Sequence, residues 1–333
     1  MGSDALLTLG GAGRFAPTPT GHLHLGNART ALLAWLSARQ LGLRNILRVE
    51  DLDPRAIPDG CLEGQYRDLD WLGLVYDECP RIGGPAGPYR QSERFALYDE
   101  VLAQLDSMGL LYPCWCSRRE IQLATRAPHA SDEGPVYPGT CRPSHPQPLG
   151  DLNQLPVKRD RRPALRLNAR AAMERLGQSE VVFTDLIAGP QRYDMVSSLG
   201  DFVVRRVDGV ASYQVACSCD DVSMGCSLVL RGADLLPSTA RQWLLLRLLE
   251  LPIPRYAHTG LVMNHDGQRL AKRDGAIALG QLRDRGVSAS TVVAYLAELS
   301  GLPATSNLDD LTNAFKMSTL SAGDVCLRDD LDT

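Results

Sequence analysis

The chain has 333 residues, 44% of them hydrophobic and 22% charged, which suffices for one large domain or two with a proper core. Its net charge of −4 excludes a general attraction to nucleic acid, so any RNA contact needs a local basic face such as residues 158–162 or the pair Arg205-Arg206. The longest apolar stretch, around Leu244 to Leu251, is cut by Arg247 and Glu250 and is far too short for a membrane span. Residues 1–8 lack the cationic start and long apolar run of a signal peptide, and Leu6 stands where myristoylation of Gly2 would want Ser or Thr. Nine cysteines, an odd number, fit a reducing cytosol better than a disulfide scaffold, so the expected location is cytoplasmic.

Residues 13–26, GRFAPTPTGHLHLG, lead directly into a run without Gly or Pro from Asn27 to Leu41. Ala28, Leu32, Trp35 and Leu36 recur there at helical spacing, which predicts an amphipathic helix. Gly21 and Gly26 let a backbone or a ligand approach closely, and a helix N-terminus presents unpaired N–H groups with roughly half a positive charge. The turn is therefore a natural seat for phosphate. Its spacing is neither GxxxxGK[ST] nor GxGxxG, which excludes the two commonest phosphate loops. A turn with two surface histidines, or a metal pair made by His22 and His24, competes on this segment alone.

Residues 45–51, NILRVED, read as a buried strand with acids at its carboxyl end, where open α/β sheets bind ligands. Helical periods follow over 62–72 and 93–108, separated by a Gly- and Pro-rich loop over 80–88, with Ser92 as a cap for the second helix. Strand and helix in alternation predict a parallel, doubly wound sheet. Cys114, Cys116 and Cys141 then bracket a polar excursion with little core of its own, a kind of segment often pinned by a metal. Three thiolates are one ligand short of a tetrahedron, and chemistry alone leaves the fourth place to water or His129. Residues 142–163 are Pro-rich and charged, an exposed connection, and 164–167, 181–184 and 202–207 read as strands, the last closed by the turn Asp208-Gly209. Residues 211–221 return to the sheet, and Arg231 opens a segment whose guanidinium could pair with a carboxylate. Ser238 is a candidate cap for a helix to Glu250, while Cys217, Cys219 and Cys226 fit buried free thiols. A basic loop, QRLAKRDG over 268–275, is followed by short helices over 276–285 and 288–300 and a tail without strong pattern.

In this order and spacing the segments resemble class I aminoacyl-tRNA synthetases of the glutamyl and glutaminyl branch. His24-Leu25-Gly26-Asn27 resembles the HIGH signature, residues 48–51 its R-x-E-D motif, 213–221 its Y-x-x-A-x-x-x-D-D segment, and 231–242 its R-G-x-D-L-L-x-S-T-x-R-Q. Residues 269–273, RLAKR, resemble the KMSKS loop, departing from it with Arg269 at the first place and Ala271 at the third while keeping Lys272 at the fourth. C-x-C followed by Y-x-x-x-C resembles the short branch of the family that works on queuosine in tRNA(Asp), where a tyrosine oxygen completes a structural zinc shell.

The resemblance implies an α/β fold: a Rossmann-like doubly wound parallel sheet with a zinc-pinned insertion and a short helical C-terminal extension. It divides the chain into 10–110 and 209–275 as the two halves of the catalytic domain, 111–208 as the insertion and 276–333 as the extension. With 58 residues after Gly275, no anticodon-binding domain is expected. His24 and Lys272 are implied as catalytic, with Gly26 and Asn27 beside them on ATP, which brings Mg²⁺. Arg14, Phe15, Ala16, Pro17, Thr18, Glu50, Tyr213 and Arg231 are implied to hold L-glutamate, and Cys114, Cys116, Tyr137 and Cys141 to hold Zn²⁺. The implied activity is formation of glutamyl-adenylate and transfer to queuosine at the wobble position of tRNA(Asp), by a monomer away from any membrane. A ligase that serves a small molecule or carrier protein, and a non-catalytic paralogue, carry the same motifs.

Overall fold

The computed structural model describes residues 11–125, 136–158, 160–264, 266–270 and 278–328. Lys272, Ala271 and His129 lie outside them. The first elements are strand β1 (Ala12–Phe15), helix α1 (Leu25–Gln40), β2 (Arg44–Leu47), α2 (Cys61–Trp71) and α3 (Phe95–Ser107). There follow β3 (Leu111–Cys114), α4 (Arg118–Thr125), β4 (Ala164–Leu167), α5 (Ala169–Leu176), β5 (Val181–Asp185), β6 (Gly189–Tyr193) and β7 (Val203–Arg205). The chain continues with α6 (Tyr213–Ser223), β8 (Cys226–Gly232), α7 (Leu236–Leu248), β9 (Arg255–Thr259), β10 (Val262–Met263), α8 (Leu279–Asp284), α9 (Ala289–Leu299), α10 (Leu308–Ala314) and β11 (Val325–Cys326).

Four strands form one parallel sheet in the order β2-β1-β8-β9, as the alternation of strand and helix predicts. Their carboxyl ends, at Phe15, Leu47, Gly232 and Thr259, therefore lie along one edge. Helix α1 packs on β1 so closely that a Cβ on Gly13 would come 2.8 Å from Cβ of Ala38, so only glycine fits. Contrary to the sequence expectation, α1 is not amphipathic: it is buried nearly all round, including Arg29 and Ser37. Its other face is covered by the C-terminal helices, and Arg29 donates to Ser300 Oγ at 2.9 Å and to the Gly260 carbonyl at 2.8 Å.

The C-terminal segment is thus no appendage. Val292, Val293, Leu296, Leu311 and Phe315 belong to the same apolar core as Leu32, Leu36 and Leu47. A third helix and a strand, β11 pairing with β10, occupy the tail in which the sequence shows no pattern. A Cβ on Gly260 would meet the Gly323 carbonyl oxygen at 1.8 Å, so the tail lies directly on the chain that leaves β9.

Within residues 111–205 the order changes to an antiparallel sheet, β3-β4-β7, and a hairpin, β5–β6. These elements share a second core with α3, α5, α6 and α7, built around Leu105, Leu165, Leu167, Val204 and Leu244. Three local expectations need correction. Residues 213–223 form a helix rather than a strand. Ser92 does not cap α3; it sits in a 3-10 turn, where its N–H and hydroxyl donate to Asp51 at 2.9 and 2.8 Å. Ser238 lies inside α7, after Pro237 in the first turn, and its hydroxyl accepts from the Gln214 amide at 3.0 Å.

Candidate active site

The turn before α1 is built by a histidine. His24 is the N-cap: its Nδ1 accepts from the N–H of Gly26 at 3.1 Å and of Asn27 at 3.4 Å, while Asn27 Oδ1 accepts the His24 N–H at 3.3 Å. Sequence periodicity places the helix start at Asn27, two residues late, because imidazole is an unusual cap. With Nδ1 accepting, the proton of the neutral ring resides on Nε2, which becomes a donor beside the positive end of the helix. A Cβ on Gly26 would lie 3.0 Å from the ring, so glycine is required for the cap to close. His22 instead lies against Gly64 of α2, and among the described residues the two histidines join no metal-ligand group.

A cavity of about 460 Å³ opens at this turn along the carboxyl edge of the parallel sheet. Arg14, Phe15, Ala16, Pro17 and Thr18 leave β1 into it, His24, Gly26 and Asn27 form its helix end, and Glu50, Tyr213 and Arg231 complete its walls. Every expected glutamate or ATP residue within the described residues is thus brought to one cavity. Arg269 and Leu270, the first two residues of the KMSKS-like loop, line it as well, with Arg269 paired to Asp234.

Behind the wall residues Arg14 and Glu50 lies a buried ion-pair network: Arg14 Nε lies 3.1 Å and Arg48 Nη1 2.6 Å from Asp221 Oδ1, and Arg48 Nη2 lies 3.0 Å from Glu50 Oε1. Burial would raise the Asp221 carboxyl, but Arg14 and Arg48 more than offset it and hold the group down to about 2. For Glu50 burial is the larger influence and pushes it above the usual carboxylate range against the pull of Arg48 and Arg14.

Arg231 meets neutral groups instead. Its Nη1 donates to Tyr213 Oη at 3.2 Å, its Nη2 to Thr239 Oγ1 and Gln242 Oε1 at 2.7 Å each, and its Nε to His258 Nε2 at 3.1 Å. Among the described residues no carboxylate lies within ion-pair distance of it, although it is only 4% exposed. Asp220 pairs with Arg94 at 2.7 Å and also lies 3.7 Å from Arg48 Nε. Arg14 and Arg48 therefore have carboxylates as direct partners, whereas every direct partner of the buried Arg231 is neutral, and its link to a carboxylate, Asp185, runs through His258.

Arg48, Asp221, His258 and Asp185 take part in this network without having been singled out in the sequence. Arg48 opens the R-x-E-D motif and Asp221 closes the Y-x-x-A-x-x-x-D-D segment, so a signal was present. His258 and Asp185 stand in ordinary strand sequence and gave none.

The cysteine cluster lies at the end of β3. Sγ atoms of Cys114, Cys116 and Cys141 are within 4.8 Å of one another, Cys116 and Cys141 at 3.6 Å. Tyr137 Oη stands 3.3 Å from Cys114 Sγ and 3.6 Å from Cys116 Sγ. Zinc–sulfur bonds of about 2.3 Å imply sulfurs roughly 3.8 Å apart and a ligand oxygen slightly nearer, so the donor set fits a tetrahedral ion. Cys217, Cys219 and Cys226 are buried free thiols, as expected, and burial raises Cys217 to about 11 and Cys226 to about 12.

Residues 12–328 match the family of class I tRNA synthetases (E and Q), catalytic domain. The chain belongs to that family of ligases. Within it, the sequence is 52% identical over 291 residues to the glutamyl-Q tRNA(Asp) synthetase of Symbiobacterium thermophilum, covering 87% of this chain and 86% of that one. It is 46% identical, with the same coverage, to the protein of the same name from Nitratidesulfovibrio vulgaris. Glutamate–tRNA ligase 2 of Alkalilimnicola ehrlichii is 42% identical, but the match covers only 58% of its length. The crystal structure of glutamate-tRNA synthetase from Elizabethkingia anophelis superposes with a TM-score of 0.79 at 26% identity, covering 97% of this chain and 69% of that one. No helix among the described residues is long and apolar enough to cross a membrane.

Proposed function

We propose that the chain activates L-glutamate with ATP and passes the glutamyl group to queuosine at the wobble position of tRNA(Asp). The observation that carries this is the single cavity in which Arg231, a buried guanidinium whose direct partners are all neutral, and the His24-capped helix end face one space. The names of the two relatives that align over 86% of their length support the choice of acceptor.

In this account Arg231 and Arg14 receive carboxylates, Glu50 receives the ammonium, and Tyr213 closes the wall. A glutamate carboxylate oxygen bonds to the α-phosphorus, the bond to the bridging oxygen breaks, and pyrophosphate leaves. No general base is needed, since the nucleophile is already ionised. His24 Nε2–H and the positive end of the α1 dipole hold charge that develops on phosphate, with Lys272 assigned to the same task; Mg²⁺ arrives as part of the substrate. The acceptor then attacks the acyl carbon and AMP leaves. A second cavity of about 670 Å³ shares Tyr213 with the first and is lined by Arg118, Arg166, Gln214 and Arg241. Its donors and its position suit the acceptor nucleoside. Residues 10–110 and 209–275 act as the catalytic halves, 111–208 as the acceptor-side insertion and 276–333 as the extension that braces α1.

The expected result is transfer of glutamate to tRNA(Asp) that carries queuosine and none to the same tRNA without it. Transfer to both, or to a small-molecule acceptor alone, contradicts the assignment.

Cys114, Cys116, Tyr137 and Cys141 would hold zinc, which supplies a cross-link between β3 and the following loop and no chemistry. Metal analysis of purified protein should find about one zinc per chain, lost in Cys116→Ser, with adenylation largely retained. Protein purified without metal and equally stable in chelator would contradict the site.

A further inference from the structure

Asp185 and His258 lie outside the cavity, yet they decide how Arg231 enters it. Asp185 ends β5, in the hairpin, and His258 stands on β9 of the parallel sheet; both side chains are fully buried. The His258 ring nitrogen Nδ1 is 2.6 Å from Asp185 Oδ2, and the His258 backbone N–H donates to Oδ1 of the same carboxylate at 3.1 Å. Oδ1 also accepts from the N–H of Ile187 and Ala188, at 3.0 and 2.8 Å, so the group that anchors the hairpin tip also anchors the ring. A carboxylate so placed requires the proton of His258 on Nδ1, which leaves Nε2 as an acceptor. Nε2 is where Arg231 Nε arrives, 3.1 Å away.

The arrangement accounts for the guanidinium edge by edge. Nε and Nη2 are held by His258, Thr239 and Gln242, so Nη1 is the nitrogen turned toward Tyr213 and the cavity. Burial pushes His258 down to about 4 against the opposing pull of Asp185, with Arg231 and Arg14 also disfavouring its charged form, so the ring stays neutral at physiological pH. A proton on Nε2 would point at Thr239 Oγ1, 3.0 Å away, or at Arg231 Nε, and in either case the acceptor that holds Arg231 Nε would be lost.

We propose that Asp185 and His258 are positioning residues for the amino-acid end: Asp185 fixes the tautomer, His258 Nε2 fixes Arg231 Nε, and the pair thereby presents Nη1 to the ligand carboxylate. This rests on the cavity being a glutamate site. It also ties the hairpin of the insertion to amino-acid recognition on the sheet.

The test uses full-length protein and steady-state pyrophosphate exchange, with KM read separately for glutamate and ATP and the active fraction titrated. Asp185→Asn can donate to Nδ1 and so moves the ring proton to Nε2. His258→Asn keeps a donor toward Asp185 and removes the acceptor. His258→Gln does the reverse, placing an amide oxygen near the position of Nε2. Asp185→Asn and His258→Asn should raise KM for glutamate by about tenfold or more, with KM for ATP within about twofold. His258→Gln should stay within roughly threefold of the parent, and adding Asp185→Asn to it should cost little more, because an amide has no tautomer to lose. A purely structural role would lower the active fraction and leave the glutamate KM alone. Equal glutamate KM for the Asn and Gln variants at 258, or parallel shifts for both substrates, overturns the proposal. A parent protein without glutamate-dependent exchange removes the glutamate site itself, and the inference with it.

Discussion

Arg231→Gln lowers glutamate-dependent pyrophosphate exchange by on the order of 10²-fold in kcat/KM, with the loss carried mainly by KM for glutamate. The physical reason is the charge balance around the site. Arg14 and Arg48 have Asp221 and Glu50, whereas Arg231 is 4% exposed and surrounded by a phenol, a hydroxyl, an amide and a neutral imidazole. A buried cation held directly only by neutral acceptors has lost its hydration, with its nearest bonded carboxylate, Asp185, one residue behind His258, and a carboxylate in the cavity supplies a direct partner. Glutamine at this position retains hydrogen-bonding capacity and removes the charge. Discrimination against glutamine should therefore shrink by about tenfold or more in the same variant, since a ligand without net charge no longer faces a cation that lacks a directly bonded carboxylate. Kinetics with glutamate and glutamine in parallel measure both effects. If Arg231→Gln changes kcat alone, or leaves the preference between the two amino acids intact, the guanidinium does not read the acid.

Arg48 shows how sequence and structure divide the work. The R-x-E-D motif located the carboxyl end of β2, and Glu50 lies on the cavity wall as expected. The same motif also contained Arg48, fully buried and bound to both Glu50 and Asp221, whose importance depends on α6 arriving from far along the chain. Pairings of this kind are set by topology, and no local period encodes them. His24 is a parallel case: the motif was legible, but its role as helix cap required the backbone geometry of the turn.

Local pattern failed where tertiary cover replaced solvent. Helix α1 looked amphipathic because Ala28, Leu32, Trp35 and Leu36 recur at helical spacing, yet its polar residues Arg29 and Ser37 are buried too, and Arg29 bonds to Ser300 of the C-terminal segment. That segment, in turn, carried no strong pattern after Gly301, because its short elements gain stability from docking onto α1 and Gly260 rather than from their own propensity. The cysteine cluster stands at the opposite extreme. Spacing alone named the three thiols, and family resemblance added Tyr137, whose oxygen stands 3.3 and 3.6 Å from two of the three sulfurs.

The most direct measurement is amino-acid-dependent ATP–pyrophosphate exchange in the absence of tRNA, run over a panel that includes glutamate, glutamine, aspartate and asparagine. The buried Arg231, bonded directly only to neutral groups, predicts exchange with glutamate exceeding that with glutamine by on the order of 10³-fold, because the amide gives that guanidinium no directly bonded counter-charge. Aspartate, with the right charge but a shorter side chain, should fall between them. Comparable exchange with glutamate and glutamine, or none with any amino acid, would contradict the claim that this cavity selects and activates an acidic amino acid.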